Sequence, residues 1–119
     1  MVTSDLSARI NDVLRYVGIT RNMNAYMILS QALTLIAEDE DRLRAVEKEI
    51  YTPIADKTLR GPRAVQSTIR RASKVAWDFF PDRVHELAGY PLNGRPSAVT
   101  MLELLYNGVA RYDDLSILK

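Results

Sequence analysis

The 119-residue sequence has no cysteine, one histidine and one tryptophan. Without cysteine there are no disulfide scaffolds, thiolate zinc sites, iron–sulfur clusters or cysteine nucleophiles, and the chain fits a reducing cytosol. A lone histidine, His85, cannot assemble a triad or a metal site and reads as a partly buried or solvated residue of a short helix near Trp77. No apolar run approaches the ~20 residues of a membrane span. The start, Met1-Val2-Thr3-Ser4-Asp5, is not a signal peptide. There is no glycine-rich phosphate loop, and no nucleophile–base pair. The acidic run Glu38–Asp41 lacks the glycine and spaced oxygens of a calcium loop and reads as helix capping. The chain therefore carries no enzyme signature and calls for no cofactor or metal.

What is present is ordinary for a folded chain: 47% hydrophobic and 26% charged residues. The length suits one domain, 1–119, with a core over about 5–112. The patterning is helical throughout. Leu6, Ile10, Val13, Leu14 and Val17 form one apolar stripe, with Thr3 or Ser4 as cap and Gly18 as the stop. A helix from Asn24 to about Ala37 is apolar nearly all round, the mark of a central, buried one. A third helical segment starts near Asp41 and is interrupted by Pro53, where a kink or fresh start is expected. A short helix over Ile54–Leu59 follows, then a Gly61-Pro62 turn and a helix from Pro62 to about Phe79. Pro81 opens a short helix ended by Gly89. Pro96 and Ser97 start the last one, with Val99, Leu102, Leu105, Tyr106 and Val109 as its stripe. Trp77, Phe79 and Phe80 read as core joining the long helix to Val84, Leu87 and the last helix, and Met23, Met27 and Met101 as core filler.

The net charge of +1 argues against nucleic acid only until it is divided. From Lys57 to Lys74 there are six bases and no acid, so the rest of the chain holds 10 bases against 15 acids, a balance of −5. Non-specific nucleic-acid affinity follows local basic density, not the global sum.

At about 100° per residue, Val65, Ile69, Ala72 and Ala76 make a narrow core stripe on the Pro62–Trp77 helix. Arg63, Gln66, Ser67, Arg70, Arg71 and Lys74 take the other side. Arginine and lysine neutralise phosphates or read guanine, glutamine pairs with adenine, and serine bonds either. A short helix, a glycine-containing turn and this helix make a helix-turn-helix, whose second helix reads the major groove. Gln66, Ser67 and Arg70 are the candidate base contacts. Arg63, Arg71 and Lys74, with Lys57 and Arg60, are the candidate phosphate contacts.

Tyr51-Thr52-Pro53-Ile54-Ala55-Asp56-Lys57, then Val65, Ile69-Arg70, Ala72 and Val75-Ala76-Trp77, resemble the C-terminal effector domain of the sporulation master response regulator of spore-forming Firmicutes. Ile10, Gly18-Ile19, Tyr26, Leu29 and Ala32 upstream, and Gly89-Tyr90 and Pro96 downstream, are similar too, so the likeness spans nearly all of 5–112. Thr52 is either inserted in the tyrosine–proline step or marks a local slip of alignment. The resemblance implies a compact six-helix all-α domain with a central helix-turn-helix. It implies binding to promoter DNA, pairing of copies (a homodimer on DNA) and contact with RNA polymerase. The family's controlling receiver domain has no room in 119 residues, so a stand-alone or excised effector is expected. There are departures. Gln66 and Ser67 stand where the family has glutamate and arginine, and Arg71 stands for a histidine. Arg60-Gly61-Pro62 replaces polar threonines in the turn. The family's target sequence is therefore not carried over.

The reading is an all-α, cytoplasmic, sequence-specific regulator of double-stranded DNA. The competing reading is a protein-interaction module, an antagonist of a related regulator that kept the fold without operator binding.

Overall fold

The computed structural model describes the backbone of residues 2–115 and the side chains of 5–113 and 115. Six helices follow one another: α1 (Val2–Tyr16), α2 (Asn24–Glu38), α3 (Thr52–Thr58), α4 (Pro62–Phe79), α5 (Pro81–Ala88) and α6 (Ala98–Ala110). Among the described residues there is no strand, and no helix is long and apolar enough to cross a membrane. The side chains of Thr3 and Ser4, expected to cap α1, lie outside the described residues.

The core forms around α2, which packs on α1, α4 and α6. Its Ile28, Leu29, Ala32, Leu33 and Ile36 are buried with Ile10, Val13 and Leu14 of α1, Val65, Ile69 and Ala76 of α4, and Met101, Leu102 and Leu105 of α6. Two glycines permit close approaches. Gly18 ends α1 at φ +87°, and a Cβ there would stand 2.6 Å from the Phe80 ring. The Ile19 amide bonds the Leu14 carbonyl at 2.9 Å and the Gly18 amide bonds Arg15 at 3.0 Å, which closes the helix in a Schellman turn. Gly108 of α6 is met by Leu87 of α5, 2.8 Å from where a Cβ would be.

Polar ties fix the rest. Asn107 donates to the Leu87 carbonyl at 2.7 Å, and Ser73 of α4 donates to the Pro96 carbonyl at 2.9 Å, just before α6. The Ser97 hydroxyl caps α6 by accepting from the Thr100 amide. Arg83 donates to the Tyr16 carbonyl and lies over the Tyr16 and Phe80 rings.

The segment between α2 and α3 departs from the simple helix that the sequence suggested. Asp39 caps a 3₁₀ turn, Glu40–Arg44, by accepting from the Asp41 amide, and a π-helical turn, Glu47–Tyr51, leads directly into α3. Pro53 has no N–H for the carbonyl four residues back, that of Glu49. Arg42 Nη1 donates to that carbonyl at 2.9 Å. The widened turn and this guanidinium absorb the proline without breaking the helical path.

Three apolar assignments are corrected. Phe79 is 72% exposed, because the chain leaves helical geometry at Phe80 (φ −136°, ψ 51°) and sends only the second ring inward, against Gly18. Met27 and Val99 face outward, at 49% and 39% exposed. Each lies on a helix so apolar that composition does not mark its outer edge.

Candidate nucleic-acid interface

The turn between α3 and α4 has three residues, Leu59, Arg60 and Gly61, and α3 packs against α4. The left-handed residue of this turn is Leu59 (φ 58°, ψ 33°), not the glycine: Gly61 is extended, at φ −76° and ψ 156°. The Ala55 carbonyl receives the amides of both Leu59 and Arg60, which closes α3 and forces Leu59 into that conformation. Leu59 is 94% exposed.

Gly61 caps α4 without a side chain, and Pro62 takes one of its first two positions. The N-terminal turn thus keeps the positive end of the helix dipole open to an anion. Along α4 the buried arc is Val65, Thr68, Ile69, Ala72, Ser73 and Ala76. That is wider than the four-residue stripe expected, because two hydroxyls fit inside it. Thr68 donates to the Ala64 carbonyl and Ser73 to that of Pro96. Sequence offers no sign of which hydroxyls find such partners.

On the opposite side Arg63, Gln66, Arg70, Arg71 and Lys74 are exposed, and Ser67 is half-buried. The structure thus gathers all six candidate residues of this helix on one face. Arg60 is exposed in the turn that leads into it. Lys57, in the last turn of α3, stands apart: it lines a cleft of about 160 Å³ between α2 and α3 with Gln31, Glu38 and Pro53.

Pairing with carboxylates is uneven along the chain, and outside this region Arg21, Lys48, Arg83, Arg95 and Arg111 lack it too among the described residues. Arg9, Arg15, Arg42 and Arg44 each lie within 4.0 Å of a carboxylate. Among the described residues Lys57, Arg60, Arg63, Arg70 and Arg71 have no such partner. Arg70 leans on the Ser67 hydroxyl at 3.5 Å and Arg71 on that of Thr68 at 3.4 Å. Lys74 is the exception, held by Asp78 at 2.7 Å. The i,i+4 spacing of Lys74 and Asp78 was the sequence signal for that pair.

Behind this face lies Tyr51, which the sequence did not single out as functional. It is 3% exposed, and its hydroxyl is buried with no hydrogen-bond partner among the described residues. Burial raises its pKa, and the charge of Arg70 acts in the opposite direction. His85 is half-buried, edge-on to Trp77 at 5.1 Å, as a structural residue would be. Among the described residues no group of histidine and carboxylate side chains is clustered for a metal ion.

The arrangement is a short helix, a tight turn and a long helix with a buried back and a polar, cationic front. The family model described as "Sporulation initiation factor Spo0A C terminal" matches residues 10–109, from within α1 to the end of α6. The chain belongs to this family. The Spo0A C-terminal family is one of regulator effector domains rather than an enzyme class, and the six-helix all-α architecture agrees with it.

Proposed function

We propose that the chain is a sequence-specific transcription regulator, a single helix-turn-helix domain over 1–119 that binds double-stranded DNA through α4. The N-terminal half of α4 enters the major groove, with Gln66, Ser67 and Arg70 on base edges. Arg63, Arg71 and Lys74, with Arg60 from the turn and Lys57 from α3, engage phosphates on either side. The observation that carries the reading is the concentration of cations on and beside one helix face, all but Lys74 without a carboxylate partner among the described residues, inside a chain of net charge +1. Its place of action is then the cytoplasm. A second copy of the chain on DNA and RNA polymerase are the further partners expected of this family.

Selection from a pool of random duplexes with the full chain tests the proposal. Enrichment of one sequence is expected, and Arg70→Ala should weaken binding to it by about 1–3 kcal/mol. An equal loss on random duplexes would make Arg70 a phosphate contact. A selection that enriches nothing would remove the reading.

A further inference from the structure

We infer that Tyr51 is a positioning residue for Arg70: its buried hydroxyl oxygen accepts a hydrogen bond from the Arg70 guanidinium when that side chain reads a base. The inference rests on the reading of α4 as the DNA-facing helix and deepens it.

Three observations converge on the pair. The first is the hydroxyl itself. Tyr51 is 3% exposed and its oxygen has no partner among the described residues, so a phenylalanine would pack in the same place without burying an unpaired polar group. The second is placement. The π turn that carries Tyr51 packs against α4, and Arg70 is the charged group that acts on its phenol. The third is the state of Arg70, exposed and, among the described residues, tethered only by Ser67 at 3.5 Å, the outer limit of a hydrogen bond.

The chemistry is complementary. A guanidinium has five N–H donors, and a bidentate contact to guanine O6 and N7 uses two. The remaining donors need acceptors once water leaves the groove. A phenol kept neutral by burial offers lone pairs without adding a negative charge near the phosphates. It also fixes the plane of the guanidinium, and orientation is what separates reading a base from merely neutralising a phosphate. In the absence of DNA, the tyrosine holds an acceptor in reserve.

Tyr51→Phe, Arg70→Ala and the double variant, all in the full chain, test this. Each is titrated against the duplex recovered by random selection and against a randomised duplex of the same length, at one salt concentration. Tyr51→Phe should weaken binding to the selected duplex by roughly ten- to a hundredfold, the size of one charge-assisted hydrogen bond, and leave the randomised duplex unchanged. It should add no further loss in the Arg70→Ala background, and it should melt at the same temperature as the parent or higher. Wild-type affinity in Tyr51→Phe, an equal loss on both duplexes, an additive loss with Arg70→Ala or a lower melting temperature would each overturn the inference. If the parent chain selects no duplex, the DNA reading itself has failed, a result distinct from all of these.

Discussion

Replacing Asp78 with asparagine should steepen the salt dependence of DNA binding. In the free protein Lys74 is held by Asp78 at 2.7 Å, with the two side chains 59% and 45% exposed. Such an exposed i,i+4 pair contributes only about 0.3–0.5 kcal/mol to stability, but a carboxylate this close offsets the charge that Lys74 brings to its phosphate, so the contact releases little counterion while Asp78 is there. Four other candidate phosphate contacts, Lys57, Arg60, Arg63 and Arg71, have no carboxylate partner among the described residues. At a slope near −0.9 per neutralised phosphate, four contacts give about −3.6 in log K against log salt, and a fifth brings it to about −4.5. Over a fourfold dilution of salt, the variant should therefore gain about three- to fourfold more affinity than the parent does. Fluorescence anisotropy on a labelled duplex, from 50 to about 200 mM salt, reads both slopes. A parent slope already near −4.5 and unchanged in Asp78→Asn would show that Asp78 does not offset the charge of Lys74 at its phosphate. A slope near zero in both would refute the assignment of this face.

Three further predictions concern the scaffold. Gly18→Ala combines a φ of +87° with a Cβ 2.6 Å from the Phe80 ring, so it should cost about 1–3 kcal/mol in urea unfolding; an unchanged midpoint would refute the close approach. Arg42→Met removes the donor to the Glu49 carbonyl and should cost about 1–3 kcal/mol, with a smaller loss in a Pro53→Ala background, where an amide hydrogen is restored at position 53. Equal losses in the two backgrounds would deny the link between the guanidinium and the proline. Leu59→Gly relieves a left-handed leucine that is 94% exposed, and after glycine's own entropic cost it should stabilise the chain by about 0.5–1 kcal/mol; a lower melting temperature would show that the leucine packs.

Where local chemistry sets the structure, the sequence was readable. Pro62 and Phe79 bound α4 as expected, and Gly18 and Gly89 take positive φ at the ends of their helices. The cationic face of α4 was readable too, because helical periodicity alone decides which residues share a side. Other features depend on distant partners. The π turn before α3 is supported by Arg42 reaching a carbonyl seven residues on, a relation no propensity encodes. The Gly61-Pro62 turn was readable, but nothing in it showed that the left-handed closure of α3 on Ala55 falls to Leu59. Met27 and Val99 are exposed because neighbouring helices, not their own residue types, decide what is covered, and Phe79 because the chain leaves helical geometry at Phe80. Within the site, the Lys74–Asp78 pair had a spacing signal. The unpaired hydroxyl of Tyr51 had none, since a buried tyrosine and a buried phenylalanine read alike in an apolar pattern.

The central claim is that the exposed face of α4 meets the duplex. Backbone amide chemical shifts of the full chain, followed while the selected duplex is added, test it most directly. The account predicts saturable shifts concentrated over residues 57–74, with α1 and the α6 core little changed. Shifts centred on α5 or α6, or none at a duplex excess, would contradict it.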